Sequence, residues 1–240
     1  MVGALGWSSH ARSLSRWPGF FTYSSHFLAI TLWIGILFNV SWFSKNHRNW
    51  IPFLKWFTPL AAFCFLTASA TGIILMSFVM NLKDYSNAWV LPYGQMLLLK
   101  HLAIIPLLVF AFINGILIRK RMASDAHVNP LPWVRLESVS ALIIFSITGA
   151  LGMQSPPHEI KNTVLSEGVS SLWQIFHGNN VPSQLSFTPG YPSALLLLIS
   201  VAFLMMTINS YKTNAPKVFA LFMGICFIFS AYCTLMLSVK

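Results

Sequence analysis

The chain has 240 residues, of which 56% are hydrophobic and only 8% charged, with a formal net charge of +10. A soluble domain carries roughly 25% charged residues, so this sequence cannot coat a globular surface with polar groups and must use lipid as its solvent. That excludes a soluble enzyme, a disordered tail protein and a nucleic-acid-binding domain; the fifteen Lys and Arg sit at the ends of apolar runs, where they set topology.

Residues 1–18 carry Arg12 and Arg16 but no apolar core ahead of a small-residue cleavage site, so no secretory leader is expected and the first apolar run is a retained span. A spanning helix needs about 20 mostly apolar residues. Six stretches qualify: Gly19–Phe43, Leu54–Met80, Met96–Ile118, Trp133–Met153, Pro192–Tyr211 and Pro216–Ser238. The expectation is an all-α, six-helix membrane bundle forming a single membrane domain over residues 1–240. An even number of spans puts both termini on one side. Lys45, Arg48, Lys55, Arg119, Lys120, Arg121, Arg135, Lys212 and Lys217 fall on one face of the membrane. Arg12, Arg16, Lys83, Lys161 and Lys240 fall on the other. The first set is the richer, so it faces the cytoplasm and both termini lie outside.

Two outer segments are long enough to matter. Asn81–Gln95 holds Trp89 and Tyr93, which fit an interfacial aromatic belt. In Ser155–Gly190, Ile160, Val164, Leu165, Val169, Leu172, Trp173 and Phe176 recur at helical spacing, which predicts one amphipathic helix on the outer surface. Pro52, Pro132, Pro192 and Pro216 stand at helix starts, whereas Pro59 and Pro106 lie inside spans. Gly72, Gly149 and Gly152 are expected at close helix approaches. Cys64, Cys226 and Cys233 lie in apolar runs, an odd count that argues against a disulfide framework.

Ionisable groups inside a bilayer are functional candidates by default. His26 lies in the first span and His101 in the third, about 10 and 8 Å below their outer ends at 1.5 Å per residue. Lys100 adjoins His101, as a snorkelling cation or a gate. Glu137 lies early in the fourth span beside Arg135, as an ion pair or an exit-side carboxylate. Met76, Met80, Met96 and Met153 gather at the outer level, with His158 and His177 in the outer loop. Thioether with imidazole suits copper, the softer Met favouring Cu(I). Two neutral histidines at one depth would equally serve bis-His haem b. Each methionine alone is as readily a core filler. No phosphate-cradling glycine loop, HExxH or CxxC occurs.

Thr71-Gly72, Pro92-Tyr93-Gly94 leading into Leu97-Leu98-Leu99-Lys100, Asn114 followed by Arg119, Arg135-Leu136-Glu137 and Ser155-Pro156-Pro157 occur in that order. Together with His26-Phe27-Leu28-Ala29 and Trp33-Ile34-Gly35, they resemble the CopD copper-resistance membrane domain, also found at the C-terminal end of YcnJ-type copper proteins. The resemblance covers about residues 20–160, leaving 192–238 as two further spans. It implies a multi-pass protein of the bacterial plasma membrane that transports or handles copper. The ion would be bound by His26, His101, Met76, Met80, Met96, Met153, His158 and His177. A periplasmic or extracellular copper-binding protein would be a partner, beside membrane lipid. A haem-binding membrane protein and a copper-delivery accessory protein are the alternatives, and none of the three readings is an enzyme.

Overall fold

The computed structural model of the chain describes residues 16–46, 49–125, 128–157, 159–182 and 184–240. Its helices are α1 (Arg16–Phe43), α2 (Trp50–Val79), α3 (Pro92–Ser124), α4 (Leu131–Gly152), α5 (Ile160–Glu167), α6 (Ser171–His177), α7 (Tyr191–Lys212) and α8 (Lys217–Ser238). Two short 3₁₀ turns, Leu82–Asp84 and Asn87–Val90, join α2 to α3. α1, α2, α3, α4, α7 and α8 are each long and apolar enough to cross a membrane. Their outward faces carry Phe63, Leu66, Leu198, Val218 and Phe229, as lipid contact requires.

Hydropathy located the spans but undercounted their turns. α3 begins at Pro92, whose fixed φ suits a first helical position, and runs on through Arg119–Arg121. Arg and Lys are good helix formers, so the helix continues past its apolar stretch. A π-helical stretch, Ile113–Ile118, interrupts it.

Three expectations need correction. The single outer amphipathic helix is two helices, α5 and α6, because Gly168 takes a φ of +78° and ends α5, and Ser170 then caps α6 through its side chain. Among the described residues nothing lies within 4 Å of a Cβ added at Gly149 or Gly152; the close approaches are at Gly72, Gly94 and Gly224. Trp89 is not an interfacial belt residue but a core one, 3% exposed.

The chain packs as two compact units. The first takes Met1–Lys83 with Asn114–Ser138, and the second Asp84–Ile113 with Val139–Lys240. In the first, α1 lies along α2, with Trp33 edge-on to Phe65 at 6.0 Å between ring centroids. Arg135 Nε donates to the Ser41 carbonyl at 3.1 Å, its guanidinium lies over the Trp42 ring, and Trp42 Nε1 donates to Ser138 Oγ at 3.0 Å. These bonds fasten the start of α4 to the end of α1.

In the second unit, α7 lies along α8 and buries Ser193, Ser200, Thr207 and Ser210. Lipid tails are as apolar as leucine, so small residues that let backbones approach do the packing that the hydrophobic effect does in water. α7 ends on Asn214 at φ +52°, with Ala215 N–H donating to the Ser210 carbonyl and Pro216 following. On α8, Gly224 faces Pro106 of α3, where an added Cβ would lie 3.3 Å from the ring.

One end of this unit is closed by a cap. Gly94 lies so near the Asn87–Val90 turn that a Cβ there would come within 1.9 Å of the Ala88 carbonyl oxygen. Gln95, fully buried, donates to the Trp89 carbonyl and to Met236 Sδ and accepts from the Tyr232 hydroxyl. Ser170 N–H donates to the Val90 carbonyl, bringing Trp173 into a cluster with Trp89, Tyr232 and Met236. Residues 186–188 pair with 238–240 around a Phe187–Val239 bridge.

Candidate functional site

The most fully built histidine is His26. It lies on α1 and is half-buried against α2. Its Nδ1 is 2.9 Å from the Ala68 carbonyl oxygen and 3.0 Å from Thr71 Oγ1. A carbonyl only accepts, so Nδ1 carries the hydrogen. The Thr71 hydroxyl spends its own hydrogen on the Thr67 carbonyl at 2.6 Å, and its oxygen is then a second acceptor for Nδ1–H. In the neutral ring this leaves the lone pair on Nε2, the arrangement found where a backbone carbonyl orients a metal-ligating imidazole. Gly72 makes room: a Cβ there would lie 3.3 Å from His26 Cε1 and 3.7 Å from Nδ1.

Positions 68, 72 and 76 follow one another at i, i+4, so they share one face of α2. Met76 therefore stands one turn beyond the ring's seat, about 6 Å along the axis. Met80, buried, caps the helix with its N–H on the Met76 carbonyl.

His101 belongs to the second unit, on α3. Its ring is exposed, and its Nδ1 is 2.9 Å from the Tyr85 hydroxyl, with the rings edge-on at 5.6 Å. Burial pushes the Tyr85 hydroxyl up to about 12, so it keeps its hydrogen and can serve as the donor. Lys100 is half-buried on the neighbouring position. Met96 is half-buried at the start of α3, whereas Met153 lies beyond α4 and is 86% exposed.

His177, also in the second unit, donates from Nε2 to the Val239 carbonyl at 3.0 Å and stacks on Trp173 with centroids 3.9 Å apart. Its buried Nδ1 has no hydrogen-bond partner. Its contacts fasten α6 to the end of α8. His158 lies outside the described residues, as do His10, His47 and His127. Among the described residues no three His, Cys, Asp or Glu side chains converge as a metal-holding group.

Glu137 is buried at 4% exposure, and its hydrogen-bond partner is Asn114, whose Nδ2 donates at 2.7 Å. Arg135, two positions earlier, points elsewhere, towards Ser41 and Trp42, because residues two apart on a helix do not face each other. The sequence offered Ala68, Thr71 and Asn114 no role as side-chain partners. Thr71 and Asn114 stood out only as pieces of a resemblance, and Gly72 also as an expected close helix approach.

A multi-pass helical membrane protein with an intramembrane histidine held in a ligand-type tautomer is the class these features define. Residues 51–151, a little under half of the chain, match the family model described as copper resistance protein D, CopD. That segment spans α2 to α4, and the match supports a CopD-type copper-resistance domain there. The seat of His26 lies within the matched residues and His26 itself upstream of them. No curated protein and no solved structure matches the chain.

Proposed function

We propose that the protein binds copper within the bacterial plasma membrane and moves it across, the basic loops between spans facing the cytoplasm. The observation that carries this reading is the His26 tautomer, fixed by the Ala68 carbonyl on a helix of the CopD-type domain. It commits Nδ1–H to the protein and places the neutral ring's lone pair on Nε2, the nitrogen through which an imidazole oriented this way ligates a metal.

Copper is the cargo here. In the first unit His26 Nε2 supplies the imidazole, and Met76, on the face of α2 that seats the ring, supplies thioether sulfur, with Met80 just past the helix end. That donor set is soft and suits Cu(I). No carboxylate is among its members, so Mg²⁺ and Ca²⁺ are poor competitors. In the second unit His101 supplies a further imidazole, which ligates through Nε2 once its Nδ1–H is turned to the Tyr85 oxygen, with Met96, Met153 and His177 as further outer donors. A copper-binding protein outside the membrane would deliver the ion to the outer segment.

Two measurements test this. Copper and iron are counted per chain in the purified protein, and copper accumulation is measured in cells carrying His26→Ala or His101→Ala. Near-stoichiometric copper with negligible iron, and accumulation lost in both variants, is the expected result. Near-stoichiometric iron would overturn it in favour of a haem protein, and unchanged accumulation in both variants would remove the transport role.

A further inference from the structure

Glu137 is the only acidic or basic side chain that is buried among the described residues. No described basic group of its unit bonds it. Arg135, on its own helix, bonds the Ser41 carbonyl and lies over Trp42 of α1. Lys45 after α1, Lys55 on α2 and Lys120 and Arg121 on α3 are exposed, and Arg119 is half-buried. A carboxylate without a cation in a membrane interior is expensive, so its one partner decides its chemistry.

That partner is an amide with half of its bonding unspent. Asn114 Nδ2 donates both to Glu137 Oε2 at 2.7 Å and to the Trp133 carbonyl at 3.2 Å. Turning the amide round would set Oδ1 against that carbonyl, so the orientation is fixed. Oδ1 is then a buried acceptor with no donor, on a side chain 4% exposed. Burying such an atom is unfavourable unless a donor meets it. Asn114 also stands in the π-helical stretch Ile113–Ile118, a widened turn of a kind frequent at functional sites.

We propose that Glu137 is a proton-binding site of the membrane interior, its carboxyl holding an exchangeable proton on Oε1 that it donates to Asn114 Oδ1. Acid and amide then pair at two points: Nδ2–H to Oε2, and Oε1–H to Oδ1. On release the proton passes to water as hydronium, the carboxylate keeps the Nδ2–H bond, and Oδ1 loses its donor. Loading and release therefore exchange one satisfied arrangement for one unsatisfied one, which gives the site two states. The proposal stands apart from copper and does not require that copper crosses the membrane.

The chain has five carboxyl side chains, and only three belong to glutamate: Glu137, Glu159 and Glu167. Glu159 and Glu167 are exposed. The double variant Glu159→Gln/Glu167→Gln is therefore expected to fold, and carboxyl-labelled glutamate in it reports Glu137 alone. In lipid at neutral pH, infrared spectroscopy should show a carboxylic-acid stretch from the label. The band should shift in D₂O, shift again in Asn114→Leu, and be lost when Glu137→Gln is made in the unsubstituted chain. A carboxylate band alone in the double variant would overturn the proposal. So would an acid band that D₂O leaves unmoved, or one that Asn114→Leu leaves unchanged.

Discussion

Replacing Gly72 separates the stability of α2 from its role in seating His26. A Cβ at this position would lie 3.3 Å from His26 Cε1, so alanine forces the ring back by a few tenths of an ångström. The Nδ1 bonds to Ala68 and Thr71, at 2.9 and 3.0 Å, would then stretch towards the edge of hydrogen-bond range. Weakening one such bond costs about 0.5–1.5 kcal/mol. A lost orienting partner typically lowers metal affinity 10- to 100-fold. Against this, glycine to alanine in a helix interior gains about 1 kcal/mol of helix propensity. Gly72→Ala should therefore leave the melting temperature level or slightly raised while copper affinity falls about tenfold. Gly72→Val should lower affinity further, because its added methyls reach the ring. Copper affinity is read by competition titration of the detergent-purified protein, and the ring tautomer by nitrogen NMR of labelled histidine. Copper affinity and Nε2 lone-pair character both unchanged in Gly72→Val would refute the seat.

Two further outcomes follow from the second unit. Gly94→Ala would set a methyl 1.9 Å from the Ala88 carbonyl oxygen, a backbone atom that cannot turn aside. The cost is at the upper end of the 1–3 kcal/mol of overpacking or beyond it, so a large fall in melting temperature or in the yield of monodisperse protein is expected. Raising the Tyr85 hydroxyl from its ordinary 10 to about 12 makes the unfolded chain lose this proton first. Its effect on stability is absent below pH 10, and stability falls as pH rises from 10 towards 12. Tyr85→Phe should flatten that fall, read from thermal denaturation across the window, and free His101 Nδ1 from its partner.

Much of this protein was written along the chain. Six runs of about 20 apolar residues permit little in lipid except spanning helices, because only a helix satisfies its own backbone without water. His26, His101 and Glu137 stood out for the same reason, as ionisable residues inside those runs. Hydropathy could not show that the outer periodicity breaks at Gly168, since that depends on a positive φ rather than on polarity. Nor could spacing separate Gly72 and Gly94, which meet close neighbours, from Gly149 and Gly152, which meet none among the described residues. The partners of the ionisable residues were decided only by packing. Ala68 and Thr71 lie 42 and 45 residues from His26, and Asn114 lies 23 from Glu137. Arg135, two positions from Glu137, turned away to Ser41 and Trp42 instead. Composition along one chain fixes which segments enter the membrane; which side chains then meet depends on how two helices are rotated against each other, and that is a property of the folded pair.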